Sequence, residues 1–176
     1  MNALLTDWTG DFALPPFDKF TDADFAPAFD AALTQARANI AAIAENAEAP
    51  DFVNTIAALE GAEALLDRVS GVFYNLAGAD SNDAREALQR DLAPKMSAFA
   101  SEVTNNAALF ARIEALWQSR ETLGLGAEEL RVLTLYRQMF VRSGALLQGD
   151  QAARLTAVKG RLAVLGTEFS QNLLAE

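Results

Sequence analysis

Apolar side chains recur at spacings of three and four residues along almost the whole chain from residue 24 onwards. This spacing places them on one face of an α-helix, so the pattern predicts helices that each bury one face. Six such stripes begin at Phe25, Ile56, Leu88, Leu109, Leu130 and Leu155. No segment alternates with a period of two and is rich in β-branched residues, so no strand is predicted. The predicted fold class is all-α.

Short connections between the stripes predict a bundle of about six antiparallel helices. Capping residues mark several helix starts, namely Asp51, residues 80–82, and either Asn105 or Asn106. Pro94 interrupts the third stripe and removes a backbone hydrogen bond to the carbonyl of Arg90, which predicts a kink or a break there. The sixth stripe comprises Leu155, Val158, Leu162, Leu165, Phe169 and Leu173.

Residues 1–20 lack the helical period and contain Gly10, Pro15 and Pro16. We therefore expect an extended N-terminal strap over residues 1–20, followed by one helical domain over residues 21–176. Four aromatic side chains of the strap are candidates to anchor it to that domain. They are Trp8, Phe12, Phe17 and Phe20.

The chain carries 14 basic and 24 acidic residues, which gives a formal net charge of −10. This charge repels nucleic-acid phosphates and anionic membranes, so neither is an expected partner. The sequence has no Cys, no basic and apolar export signal at its start, and no apolar run of about 18 residues that could cross a bilayer. These features predict a soluble cytoplasmic protein.

The sequence also contains no His. Histidine is the commonest general base near neutral pH and a principal zinc ligand, so its absence removes most hydrolytic mechanisms at once. A di-iron bundle site, which needs Glu-x-x-His pairs on facing helices, is excluded as well. We therefore predict no catalytic, cofactor-binding or metal-binding residue within this chain.

Three pairs of carboxylates could in principle hold a cation or perform acid–base chemistry, but all lie at predicted helix starts, where capping and the helix dipole favour acidic residues. We predict a structural role for these pairs, which are Asp22 with Asp24, Asp80 with Asp83, and Glu128 with Glu129. Two further pairs, Glu86 with Arg90 and Asp91 with Lys95, have the spacing of ion pairs on a solvated helix face.

Two amides lie within apolar runs, Asn75 and Asn172. Each could connect helices by hydrogen bonds or face a substrate channel, and we favour the first role. Gly71 and Gly160 interrupt helical runs and predict the close approach of another helix.

Five collinear blocks of the sequence resemble the zinc metallopeptidases that include oligopeptidase A, thimet oligopeptidase and bacterial peptidyl-dipeptidase. The blocks are residues 14–18, 25–30, 52–60, 65–76 and 169–174. The block around Asn75 is most similar to the peptidyl-dipeptidases. The resemblance covers nearly the whole chain.

The resemblance implies a mostly helical, two-lobed enzyme in which the N-terminal helices form one wall of a deep channel that admits short peptides. In that family a zinc-bound water attacks the peptide bond, with the Glu of a His-Glu-x-x-His helix as general base. The zinc-binding helix lies far downstream of the region that corresponds to this chain. No catalytic position can therefore be carried over to these 176 residues.

We thus expect a channel-wall domain that is not catalytic alone, with zinc in the parent enzyme and with the missing catalytic domain and short peptides as partners. The alternative is a free-standing helical protein-interaction module. The last helix reaches Glu176 without a Gly, Asn or Pro cap, which favours a truncated enzyme. Weak self-association through Phe169 and Leu173 is a further expectation.

Overall fold

The computed structural model describes residues 2–151, 153–155, 157–158, 161–162 and 165. Within these residues the chain forms α-helices, shorter helical turns and no strand. The α-helices are α1 (Asp22–Ala44), α2 (Ala58–Ala62), α3 (Ala64–Ala79), α4 (Asp83–Thr104), α5 (Ala107–Ser119) and α6 (Ala127–Ser143). The predicted all-α bundle is confirmed. None of the described helices combines the length and the apolar character that crossing a bilayer requires.

Helix α1 is the centre of the bundle, because it contacts α2, α3, α4, α5 and the 3-10 turn Ala3–Leu5. Its start is fixed by the Asp24 carboxylate, which accepts hydrogen bonds from the backbone N–H of Thr21 at 2.8 Å and from the Thr21 hydroxyl at 2.9 Å. Towards α3 its face is aromatic. The ring centroid of Phe73 lies 5.1 Å from that of Phe25 and 5.4 Å from that of Phe29, both in edge-to-face contacts.

The second stripe does not form the single long helix that its periodicity predicts. A π-helical segment, Phe52–Ala57, precedes α2, and Glu63 separates α2 from α3 with a φ of −104° and a ψ of 7°. The side-chain amide of Asn39 in α1 donates a hydrogen bond to the Ala62 carbonyl at 2.9 Å. This bond gives the carbonyl at the break a hydrogen-bond donor. Helix α1 therefore stabilises the separation of α2 from α3, which the local sequence does not predict.

Helix α4 runs through Pro94 without a break, so a break there is excluded and the predicted kink stays a prediction. Both Pro94 and Arg90 are exposed. The carbonyl of Arg90, which loses its backbone donor, therefore lies on the solvent side of the helix, where water can hydrogen-bond to it.

The N-terminal segment is anchored by fewer aromatic residues than predicted. Trp8 and Phe20 pack against the core, whereas Phe12 is 95% exposed and Phe17 is also exposed, so these two are not anchors. Leu4, which the sequence does not single out, is completely buried. The boundary of the strap at residue 20 remains a prediction.

Beyond α6, residues 149–151, 153–155, 157–158, 161–162 and 165 are helical. Leu155 is partly buried, but Val158, Leu162 and Leu165 are exposed. The exposed part of the sixth stripe therefore begins at Val158, nearer the start of the stripe than the predicted residues Phe169 and Leu173. Four positions to which the sequence assigned roles lie outside the described residues, namely Gly160, Phe169, Asn172 and Leu173.

Gly71 is not a point of close helix approach. It lies in the interior of α3, is exposed, and a Cβ built there meets no atom within 4 Å. Gly144 is the opposite case. It ends α6 with a φ of +104°, and a Cβ there would meet the side chain of Leu155.

This contrast predicts opposite effects of the same substitution. Gly71→Ala should raise the free energy of unfolding by about 1 kcal/mol, because alanine lowers the conformational entropy of the unfolded chain and fits the open site. Gly144→Ala should lower it by about 1–2 kcal/mol, because alanine is strained at positive φ. Urea unfolding followed by circular dichroism measures both values. A destabilised Gly71→Ala variant would show that this face of α3 is covered.

Candidate functional site

The carboxylate pairs serve mainly to start helices and to connect them. The Glu129 carboxylate accepts a hydrogen bond from the backbone N–H of Gly126 at 2.7 Å, at the start of α6. Asp22 and Asp80 belong to different predicted pairs but meet at one guanidinium, because Arg85 forms ion pairs with both. Hydrogen bonds from Asn82 and then Arg85 hold the pKa of Asp22 below its ordinary value, although burial opposes the shift.

The two predicted ion pairs along α4 do not form. Lys95 instead donates a hydrogen bond to Asp30 of α1 at 2.7 Å, and Glu86 accepts one from the Ser81 hydroxyl at 3.4 Å. Asn75 is exposed, so it does not connect helices within the described bundle. Side-chain amides that do connect helices are those of Asn39, which donates to Ala62 at the end of α2, and Asn82, which donates from the start of α4 to Asp22 of α1.

The most buried charged side chain among the described residues is Arg112 of α5, which is 6% exposed. Its Nη1 donates to the carbonyls of Asn46 and Glu48 at 2.8 and 3.0 Å, and its Nη2 donates to Oδ1 of Asn54 at 2.7 Å. None of the ion pairs found in the described part involves Arg112. The cation is thus stabilised by carbonyl dipoles that follow the C-terminus of α1.

Asn54 completes this cluster. It accepts a hydrogen bond from the backbone N–H of Asp51 and donates one to the carbonyl of Ala49, both at 2.9 Å. Asp51 in return accepts from the backbone N–H of Asn54 at 2.6 Å, which confirms its role as the N-cap of the second stripe. The whole connection between α1 and the π-helical segment is therefore fixed by side chains rather than by the backbone alone. This arrangement is structural.

A surface groove lies between α2 and α6. It has a volume of about 350 Å³, and its lining is mostly apolar. The lining residues are Glu60, Val132, Leu135, Tyr136 and Met139. Leu135 is 47% exposed and Met139 is 39% exposed, so two large apolar side chains of α6 face solvent here.

One edge of this groove is acidic. Burial and then a hydrogen bond with Glu60 raise the pKa of the Tyr136 phenol well above its ordinary value, and the nearby charges of Glu63 and Asp67 act in the same direction. Burial, with a smaller contribution from Asp67, also raises the pKa of Glu63. Three carboxyl groups therefore lie close enough to Tyr136 or to one another to interact electrostatically.

This groove was not among the predicted features, although the sequence contains a signal for it. In α6, Val132, Leu135 and Met139 are spaced by three and four residues, and they form a second apolar stripe beside the buried Leu133 and Phe140. Arg112 was missed for a similar reason. It lies on the buried face of α5, but the periodicity that predicts this face is defined by apolar residues only.

Among the described residues, no group of three His, Cys, Asp or Glu side chains could hold a metal ion. This also holds for the carboxylates at the acidic edge of the groove. The groove offers an apolar surface beside negatively charged side chains.

Comparison with known proteins gives no match to any protein-family model. Individual relatives are nevertheless clear. The chain is 40% identical to the dipeptidyl carboxypeptidase of Escherichia coli over 175 residues, and 40% identical to that of Salmonella typhimurium over 174 residues. It is 26% identical to oligopeptidase A of Escherichia coli over 174 residues.

These matches cover 98% or more of the chain but only 25–26% of each relative. The chain thus spans about a quarter of the length of the curated relatives that it matches. Both kinds of relative carry peptidase names and agree with the resemblance noted from the sequence blocks. Over nearly its whole length this chain is homologous to the N-terminal quarter of dipeptidyl carboxypeptidase and oligopeptidase A, which is consistent with an N-terminal region of that peptidase family.

Proposed function

We propose that the chain forms one wall of the substrate channel in a zinc-dependent peptidase of the dipeptidyl carboxypeptidase or oligopeptidase type, which cleaves short peptides. The observation that carries this proposal is the 40% identity to dipeptidyl carboxypeptidase over 99% of the chain. In this role the helical bundle supplies shape and substrate access. Catalysis belongs to the three quarters of the relatives that the chain does not span.

The residues of this chain do not fit a zinc site. Zinc enzymes draw their ligands mainly from His, Cys and carboxylates, and this chain contains neither His nor Cys. Its described carboxylates form no three-residue group suited to a metal ion. We therefore assign zinc, and every step that uses it, to the remainder of the enzyme, and we propose that this chain alone does not catalyse hydrolysis.

Two other expectations remain proposals. A cytoplasmic location is supported by the absence of Cys and by the net charge of −10, which disfavours anionic membrane surfaces. Weak self-association is supported by the exposed side chains of Val158, Leu162 and Leu165. The alternative of a free-standing interaction module gains no support from the relatives, which are peptidases.

A chimera tests the proposed function. This chain replaces the N-terminal quarter of the Escherichia coli dipeptidyl carboxypeptidase, and release of dipeptides from short peptides is assayed. We expect kcat/KM within about tenfold of the intact enzyme, a difference of about 1.4 kcal/mol, because 40% identity preserves the fold of the wall.

Three controls accompany the chimera. The enzyme remainder without its N-terminal quarter, the remainder fused to an unrelated helical bundle of similar length, and this chain alone should each be inactive. A chimera that unfolds cooperatively like the intact enzyme but shows no activity would contradict the proposal. Activity of the remainder alone at the level of the intact enzyme would contradict it as well.

A further inference from the structure

Helix α6 carries more apolar surface than the bundle uses. Leu133 and Phe140 are completely buried and hold the helix against its neighbours, principally α5. Val132, Leu135 and Met139 form the second stripe, and it faces the groove that Glu60 of α2 closes on the other side. Val132 also packs against the core, whereas Leu135 and Met139 remain exposed and present an apolar surface for another chain.

The charged side chains at the edge of the groove are acidic. Glu60 lines it, with Glu63 and Asp67 behind it, and none of the ion pairs in the described part of the chain involves any of the three. The basic residues of α6 are Arg131, Arg137 and Arg142, and none of them lines the groove. Arg137 is paired with Glu114 of α5. A positively charged group placed at the Glu60 edge would therefore meet carboxylates that have no basic partner.

The volume of the groove limits the size of the group that can bind in it. About 350 Å³ accommodates one or two amino-acid side chains, not a folded domain. Tyr136 also lines the groove, and its ring adds apolar surface there. An apolar side chain fits beside Leu135 and Met139, and a basic side chain fits beside Glu60.

We propose that this groove binds a substrate peptide through one apolar side chain, held by Leu135 and Met139, and one adjacent basic side chain, held by Glu60. This inference rests on the proposed function of the chain as a channel wall and adds a preference for basic and apolar peptides to it. The attraction is electrostatic at the Glu60 edge, so it weakens as salt rises.

The chain contains a built-in probe for the test. It has three methionines, and of these Met139 lines the groove while Met96 packs against the core from α4. In a sample labelled with ¹³C at the methionine methyl groups, titration with a capped Ala-Arg-Leu-Ala peptide should shift the Met139 signal and leave the Met96 signal unchanged. We expect a Kd in the millimolar range, typical of one or two side-chain contacts.

Matched variants identify the groups responsible. Glu60→Gln should weaken binding about threefold to tenfold, as expected for one exposed charge-assisted contact. Glu86→Gln removes the same charge from α4 and should leave the Kd unchanged. Leu135→Ser should abolish the shift, and a capped Ala-Glu-Leu-Ala peptide should bind more weakly than the Arg peptide.

Several outcomes would overturn the proposal. They are an unmoved Met139 signal, equal binding of the Arg and Glu peptides, and equal effects of Glu60→Gln and Glu86→Gln. If the Met139 signal shifts with protein concentration without peptide, the occupant is a second copy of the chain and the proposal is wrong. If the chimera is active but the groove binds no peptide, only the proposal for the groove is contradicted. If the groove binds the peptide but the chimera is inactive, the proposed function is contradicted.

Discussion

Arg112→Ala is expected to lower the free energy of unfolding by about 3–5 kcal/mol, among the largest losses for any single substitution in this chain. The substitution removes three hydrogen bonds and leaves the carbonyls of Asn46 and Glu48 without this donor, whereas Oδ1 of Asn54 keeps the hydrogen bond from the backbone N–H of Asp51. It also empties the volume of a side chain that is almost completely buried. Urea unfolding with a two-state fit measures the loss.

Two further variants separate the causes of this loss. Arg37→Ala removes an arginine whose ion pair with Glu102 is largely exposed, and it should cost about 1 kcal/mol or less. Arg112→Met keeps most of the side-chain volume but not the donors, so most of the loss should persist. A loss below about 1 kcal/mol for Arg112→Met would mean that these carbonyls are satisfied by water once the guanidinium is gone.

The helices could be predicted from the sequence because their signals are local. Apolar spacing and capping residues act within one or two turns, and the N-cap roles of Asp51, Asn82 and Asn106 appear in the structure as side-chain hydrogen bonds at helix starts. The same local rule does not decide whether Pro94 breaks α4 or leaves it continuous. The cost of a proline depends on whether the freed carbonyl faces solvent, and this is a property of the tertiary fold.

Contacts between distant residues could not be predicted in this way. The break at Glu63 depends on a hydrogen bond from Asn39, which lies 23 residues from the Ala62 carbonyl that accepts it. Lys95 pairs with Asp30 across helices rather than with Asp91 one turn away. In each case several partners are compatible with the sequence, and the packing of α1 against its neighbours selects one.

The groove between α2 and α6 also could not be predicted from the sequence. The second stripe of α6 is visible in the sequence, but a stripe alone does not reveal whether a neighbouring helix covers it. Only the arrangement of α2 beside α6 shows that Leu135 and Met139 remain open and that Glu60 lies at their edge. Both proposals depend on a correctly packed bundle, since α1 contacts α2 and its Asn39 side chain donates a hydrogen bond to the Ala62 carbonyl at the end of α2.

The aromatic contact between α1 and α3 should therefore be the most sensitive apolar position of the bundle. Phe73→Ala is expected to lower the free energy of unfolding by about 3–5 kcal/mol, because it removes a completely buried ring and leaves a cavity between Phe25 and Phe29. Phe73→Leu retains much of the volume but loses the edge-to-face contacts, and it should cost about 1–2 kcal/mol.

The matched control is Phe12→Ala, which removes the same side chain from a position that is 95% exposed and should change the free energy of unfolding by less than about 0.5 kcal/mol. Urea unfolding of all three variants, monitored by circular dichroism, gives the comparison. If Phe73→Ala costs no more than Phe73→Leu, the core between α1 and α3 collapses around the missing ring. The contact between α1 and α3 would then be deformable rather than rigidly packed.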